Sequence, residues 1–457
     1  MDDELLALAA ARAINYRRGI GDQAVFPAAD ALASLRSFVE SLPDDSREPA
    51  DVMDQLERLG SRGTVASVGG RYFGFVTGGV HPVALSASWL SAAWDQNAAL
   101  GVMSPTAAVL DTVVGGWLLD LFGLPPNAQH QFVTGTSMAN AVGIAAGRDA
   151  LLHDLGWDSV QSGLFGAPEI RVVVSEAAHL SVSKALGFTG LGRDRIIRVA
   201  ADDQGRLDPN DLPEPGPPTL VIAQAGHVNS GSFDPLAAIA DHFDGSPHWI
   251  HVDGAFGLWA ATMATHRHLT EGMNRAHSWG TDLHKWLNTT YDSAVVIVRD
   301  REDLARSFQL TAEYLPPSER LEPMHRGPEM SQRARAIEAW AVMSTLGRAG
   351  IEEHGKHLCE MTRLLAARLL KADFEVHNDV VLNQLLVSGQ DDDETDALVT
   401  AAQRSGRVWC APTEWRGRRV IRLSICSAAT STDDLDVVEQ VLDDARHGHR
   451  SQGEKSL

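Results

Sequence analysis

Three short stretches constrain the fold most. "RVVVSEAA" (171–178), "TLVIAQAG" (219–226) and "HWIHVDGAFG" (248–257) each run apolar and then stop at small or polar residues. Continuous apolar strands are buried on both faces, which is the habit of parallel sheets covered by helices. Helical patterns separate these runs between about residues 132 and 298. The spacing predicts an α/β chain whose sheet is parallel or mostly parallel, with helices on both faces. Ligands bind such sheets beyond the carboxyl ends of the strands. The side chains at those ends are therefore the first place to look for chemistry.

The 457 residues are enough for two or three domains. Helix signals dominate up to Gly60. "LPEPGPP" (212–218) is a stiff loop leading into a strand. A proline-containing stretch after residue 309 has the length of a functional lid. The last hundred residues mix strands ("VVLNQLLVS", "RVIRLSICS") with helices, as a smaller α+β domain does. The expected division is 1–68 as an N-terminal helical segment, 69–345 as the large domain and 346–457 as the small one. A net charge of −21 opposes phosphate backbones and disfavours nucleic acid as a partner. No apolar run approaches the roughly 20 residues of a membrane span, so no membrane role is expected. The acidic N-terminus is not a signal peptide by composition. Three cysteines, an odd and sparse set, fit a reducing cytoplasmic setting and no zinc framework.

Four positions carry the functional argument. "GTSMAN" (135–140) opens an Ala/Gly-rich helix, where Gly135, Thr136 and Ser137 offer amides and hydroxyls to a phosphate. An ordinary Ser/Thr cap gives the same pattern. His179 follows a strand and begins a helix, where an imidazole can stack on a planar ligand or simply serve structure. Asp253 ends an apolar strand beside Gly254 and Ala255, whose small size leaves room for a ligand; local amides could equally satisfy it. Lys285 sits in "DLHKWLN", just upstream of the apolar run 293–298. Lysines in such places usually reach solvent, but a buried one can serve as a Schiff-base nucleophile.

Together the four fit one ligand, pyridoxal 5′-phosphate. It needs an amine for its aldehyde, a phosphate cradle, cover on both ring faces and an anion beside its pyridine nitrogen. Lys285, Thr136 with Ser137, His179 with Ala255, and Asp253 supply these in turn. The chain resembles the group II pyridoxal-phosphate-dependent amino-acid decarboxylases, which include aromatic-amino-acid and glutamate decarboxylases. The resemblance runs through "RYFGFVTGG", "SPTAAVLDTVVGGWLLDLFGLP", "GTSMAN", "AAHLSVSKA", "VDGAFG", "DLHKWL" and "RVIRLSICS".

It implies the fold type I architecture: a mostly parallel seven-stranded sheet in the large domain and a smaller C-terminal α+β domain. It implies Lys285 as the covalent imine partner, His284 near the phosphate or the substrate amine, and Asp282 facing the phosphate. Tyr72 and Phe73 are placed in the substrate pocket. An obligate homodimer is implied too, with the N-terminal segment on the partner and residues 310–332 as a mobile lid. The activity implied is decarboxylation of an L-amino acid, with an aromatic side chain hinted at by Tyr72, Phe73, Trp89 and Trp94.

Two departures stand out. Family decarboxylases usually carry a lid tyrosine that protonates the substrate Cα. No tyrosine follows Tyr314 here, and His325 is the nearest acid that could substitute. An aldehyde synthase, which couples decarboxylation to oxidative deamination, is therefore the alternative, with transaminase or lyase behind it and a catalytically silent scaffold as a non-enzyme reading. The second departure is His227, where relatives carry a small hydroxyl or amide residue. It is either a harmless replacement or a changed substrate contact or acid.

Overall fold

A computed structural model describes residues 2–310 and 320–453. The described chain forms two compact units. Residues 80–360 and 378–384 make the larger one; residues 1–79, 361–377 and 385–457 make the other. This differs from the division expected at 68/69 and 345/346. The N-terminal residues share a unit with the C-terminal ones, and the change of unit falls within the long helical run Ala336–Lys371.

The larger unit is built on seven strands: β1 (Gln129–Val133), β2 (Arg171–Ser175), β3 (Ile196–Val199), β4 (Thr219–Gln224), β5 (His248–Asp253), β6 (Ser278–Asp282) and β7 (Ala294–Val298). Their order is β1-β7-β6-β5-β4-β2-β3. Only β7 runs against its neighbours, pairing antiparallel with β1 and β6. The mostly parallel sheet expected from the apolar runs is present. Every residue of β4, β6 and β7 is buried. Gln224, Asp253 and Gly280 lie side by side in register, so the strands deliver their polar ends to one edge.

The helix Thr136–Asp154 packs on this sheet, and its small residues explain how closely. A Cβ on Gly147 would come within 2.5 Å of the Trp249 ring, and one on Gly143 within 2.4 Å of His251. Val142 and Ile144 of the helix join Val133, Val172, Leu220, Ile222 and Val296 in one core cluster. Each such side chain contributes about 1.5–3 kcal/mol when fully buried. The helix Pro105–Phe122 is long and apolar enough to cross a membrane, contrary to the sequence expectation, but half of it is buried inside the protein. Its Asp111 is buried too and pairs with Arg326 at 2.8 Å, which marks a core helix.

The other unit carries most of a second sheet of β8 (Glu375–Val376), β9 (Gln384–Ser388), β10 (Ala411–Trp415) and β11 (Arg418–Ser424), in the order β10-β11-β9-β8. Arg416 and Gly417 turn the β10–β11 hairpin, both at positive φ (52° and 75°), the twist a two-residue hairpin requires. Tyr72 stacks on Trp409 at 4.9 Å, and Gly74 is obligatory beside that ring, since a Cβ there would meet it at 2.0 Å. Phe73 is fully buried. It presents no surface to a ligand, unlike the pocket-lining role the resemblance implied. Trp89 and Trp94, on the helix Pro82–Trp94 of the larger unit, are exposed.

Candidate active site

The site grows from the carboxyl edge of the seven-stranded sheet. β1 ends at Val133, and the chain turns through Gly135 into the helix beginning at Thr136. Gly135 at the N-cap offers no side chain to the first turn, and the Met138 and Ala139 amides donate to its carbonyl at 2.9 and 3.0 Å. The Thr136 amide donates to Asp282 Oδ1 at 2.7 Å. Thr136 Oγ1 is buried with no protein partner, and Ser137 is exposed. A Cβ on Gly135 would lie 3.7 Å from both Asp282 and His284. The cradle residues and the lysine motif therefore meet at one place.

β6 ends at Asp282 and delivers Lys285 three residues later. Lys285 Nζ lies 2.8 Å from Asp282 Oδ2, and its side chain keeps 19% of its surface exposed. Burial pushes the Asp282 carboxyl up. The Lys285 and His284 charges, with hydrogen bonds from Lys285 and Thr136, outweigh burial and hold it below the usual carboxylate range. Burial lowers the His284 pKa, with Asp282 opposing the shift. His284 stacks on Tyr291 with ring centres 4.2 Å apart and accepts the Ser293 amide on Nδ1.

β5 ends at Asp253. Its Oδ2 accepts from Asn140 Nδ2 at 2.8 Å and its Oδ1 from the Ala255 amide at 3.2 Å. The Ala255 carbonyl in turn accepts the Asp282 amide at 3.0 Å, tying the aspartate turn to the lysine turn. His179 caps the helix Leu180–Phe188, with Nδ1 2.8 Å from Ser181 Oγ. Asn140 lies 3.4 Å from the same hydroxyl.

The sequence reading missed Asn140, Ser181 and His251. The signals were available: Asn140 stands four residues after Thr136 on a helix, and His251 two before Asp253 on a strand, spacings that share a face.

His227 has both nitrogens on protein partners. Nε2 donates to the Ala177 carbonyl at 3.1 Å, and Nδ1 accepts the Asn229 and Ser230 amides at 3.2 and 3.3 Å. The ring, 3% exposed, fastens the loop after β4 to the segment before His179. That geometry is of a loop clamp and argues against the changed substrate contact. His325 ends a short turn, Pro323–His325, and accepts the Leu310 amide on Nδ1 at 3.4 Å. Burial lowers its pKa, with Glu322 opposing. No described contact joins His325 to Lys285. Residues 311–319 of the expected lid, Tyr314 included, lie outside the described residues.

The donor set suits pyridoxal 5′-phosphate. An orphaned buried hydroxyl at a helix start fits a phosphate, a partly exposed amine fits an aldehyde, and a carboxylate restrained on both oxygens fits a protonated ring nitrogen. The chain matches the pyridoxal-dependent decarboxylase conserved domain over residues 33–387. It belongs to the pyridoxal-dependent decarboxylase family.

Among relatives in that family, the aromatic-L-amino-acid decarboxylase of Bacillus atrophaeus is 25% identical over 445 residues, 92% of this chain and 90% of its own. The L-2,4-diaminobutyrate decarboxylase of Rhizobium meliloti is 31% identical over 284 residues, 59% of this chain and 54% of its own. The solved structure of Oryza sativa TDC with PLP and tryptamine superposes with a TM-score of 0.90 at 22% identity, covering 98% of both chains. Mouse CSAD gives 0.89 at 22%, covering 97% and 98%. These two structures confirm the fold. As a family member the protein is a pyridoxal-phosphate-dependent carboxy-lyase acting on an amino acid.

Proposed function

We propose that this decarboxylase takes an aromatic L-amino acid and works as a homodimer, with Lys285 as the residue that carries the cofactor. The observation that supports the site is the Lys285–Asp282 pair at 2.8 Å, set where β6 opens on the sheet edge. One relative, covering 92% of this chain, is an aromatic-L-amino-acid decarboxylase, which favours that substrate class.

Bound pyridoxal 5′-phosphate supplies the electron sink that lets the bond between Cα and the carboxylate break. The chain's own residues do the rest. The Thr136 and Ser137 hydroxyls, at the start of the helix Thr136–Asp154, would hold the phosphate. Asp253 keeps a proton on the ring nitrogen, and His179 and Ala255 cover the ring. Asp282 Oδ2, 2.8 Å from Lys285 Nζ, would hold a proton at that nitrogen. Binding the substrate in one orientation selects which bond breaks. His325 is the proposed proton donor to Cα in place of a lid tyrosine.

The missing tyrosine beyond Tyr314 favours one second reading. If Cα is not protonated promptly, oxygen intercepts the reaction and the product is an aldehyde. Reconstituted enzyme incubated with L-tryptophan, L-tyrosine, acidic amino acids and L-2,4-diaminobutyrate separates the readings when CO₂, amine, aldehyde and peroxide are followed together. Equal CO₂ and amine from an aromatic substrate is the expected result. Aldehyde with peroxide supports the second reading, and CO₂ only from acidic or diamino substrates overturns the aromatic assignment.

Dimerisation rests on exposed apolar residues in the N-terminal segment, Val39 at 86% and Leu42 at 92%; a monomer mass by light scattering would overturn it. A reducing cytoplasmic setting fits three buried cysteines that form no disulfide.

A further inference from the structure

Beneath Asp253 lies a chain of buried polar groups that the reaction outlined above does not use. Asn140 Nδ2 touches Asp253 Oδ2 at 2.8 Å, and Asn140 Oδ1 lies 3.0 Å from His251 Nε2. His251 Nδ1 lies 2.8 Å from Ser278 Oγ, and that hydroxyl lies 2.9 Å from Trp249 Nε1. Asn140, His251 and Ser278 have no exposed surface, and Trp249 is 3% exposed.

The chemistry of these groups gives the chain one direction. An indole N–H only donates, so Ser278 Oγ accepts from Trp249. The hydroxyl's single hydrogen then goes to His251 Nδ1. A neutral imidazole that accepts at Nδ1 carries its hydrogen at Nε2, and burial keeps this ring neutral by pushing its pKa down to about 3. Nε2–H therefore donates to Asn140 Oδ1, which turns the amide nitrogen toward Asp253. The opposite amide orientation would set a carbonyl oxygen against a carboxylate oxygen, two acceptors with no hydrogen between them. Four donors point one after another at the carboxylate.

We infer that Asn140 is a positioning residue, oriented by His251, Ser278 and Trp249, that holds Asp253 as an acceptor-only anion for the cofactor's ring nitrogen. Asn140 also lies 3.4 Å from Ser181 Oγ, which reaches His179 Nδ1 at 2.8 Å. One amide thus joins the aspartate to the histidine proposed to cover the ring. The inference rests on the assignment of Asp253 to the ring nitrogen. Buried polar groups left unpaired are costly, so a chain in which each orientation dictates the next transmits a loss at Trp249 or Ser278 to Asp253.

The test compares wild type with Asn140→Leu, His251→Leu, His251→Gln and Ser278→Ala, each titrated as apoprotein with pyridoxal 5′-phosphate and then scanned for the visible absorbance of the bound cofactor. A hydrogen bond to a charged group predicts that Asn140→Leu weakens cofactor binding about tenfold or more. His251→Leu follows with a smaller loss, and both displace the absorbance band. Glutamine at 251 keeps an N–H for Asn140 and an oxygen for Ser278, so His251→Gln restores affinity and band.

Ser278→Ala removes only one hydroxyl from a buried strand and reads the far end if Asn140→Leu does not fold; weaker binding about two- to threefold is expected. Wild-type affinity and an unshifted band in His251→Leu and Ser278→Ala would overturn the inference. So would a His251→Gln protein as impaired as His251→Leu. Cofactor uptake by wild type with no difference among the variants sinks the relay alone, whereas no uptake by wild type sinks the assignment of the site.

Discussion

The larger unit contains two buried aspartates, each set between a basic side chain and a histidine. Asp282 faces Lys285 and His284 at 2.8 and 3.6 Å. Asp111 faces Arg326 and His130 at 2.8 and 2.9 Å. In both, burial raises the carboxyl pKa and the neighbouring charges outweigh it, so both carboxylates lie below the usual range. The partners differ. Arg326 forks across both oxygens of Asp111, donates again to the His130 carbonyl, and keeps 4% of its side chain exposed. That cluster anchors residue 326, within the expected lid 310–332, to the helix Pro105–Phe122. Lys285 carries one ammonium, 2.8 Å from Asp282 Oδ2, and 19% of its side chain is exposed. Guanidinium is a fixed, always charged fork, whereas an amine can lose its proton and change partner. The same charge arrangement makes a structural lock in one place and a reactive site in the other.

The largest break in that comparison is Lys285→Ala. Wild-type enzyme treated with borohydride in the presence of pyridoxal 5′-phosphate acquires an adduct on Lys285, visible by peptide mass spectrometry; the variant acquires none, and its CO₂ release falls to background.

Acid comes next, and it acts through histidines rather than through Asp111. His251 and His277 have pKa values pushed by burial to about 3, and His354 to about 4, from 6.5. The unfolded chain takes up these protons as pH drops below 6.5, and the folded protein does not. Their contribution is therefore complete above pH 6.5 and lost as pH falls toward the folded values. Three such groups cost about 5 kcal/mol of stability between pH 7 and pH 5, measurable by urea unfolding at each pH. An unfolding midpoint that stays flat over this range contradicts the assignment of these rings as buried and neutral.

Arg326→Leu strands a buried carboxylate and costs about 3–5 kcal/mol. Folded variant at low temperature still forms the Lys285 adduct, because the lock is separate from the site. Asp111→Leu combined with Arg326→Met recovers much of the stability, since an apolar pair needs no charge compensation. Loss of the adduct in folded Arg326→Leu would erase the distinction between the two clusters.

The finest test uses two glycines, each pressed against a histidine of one network. A Cβ on Gly115 would come within 1.9 Å of His130, and one on Gly143 within 2.4 Å of His251. Gly115→Ala and Gly143→Ala each cost about 1–3 kcal/mol by overpacking. Only Gly143→Ala also weakens cofactor binding, since it moves the ring beneath Asn140. Equal affinities in the two proteins would remove that difference.

Much of this was legible beforehand because it is local. Strands that end in small or polar residues announced the parallel sheet. Thr136, Asp253 and Lys285 stood at strand ends where that fold places ligands. Phe73 and His227 show what local sequence leaves open. An aromatic ring beside a pocket motif, or a histidine beside a strand end, has the same sequence signature whether it faces a ligand or the interior. Phe73 is fully buried, and the nitrogens of His227 are taken by the amides and carbonyl of its own loops.

By itself the sequence determined the layer architecture and the chemical inventory: apolar periodicity selects buried strands, and only certain side chains can form an imine or restrain a ring nitrogen. Which carboxylate became a lock and which a site, and the direction of the hydrogen bonds beneath Asp253, were decided by tertiary structure. Those properties depend on donors brought together from residues 140, 249, 251 and 278. Hydrogen-bond direction and desolvation exist only once such distant groups share one dry space.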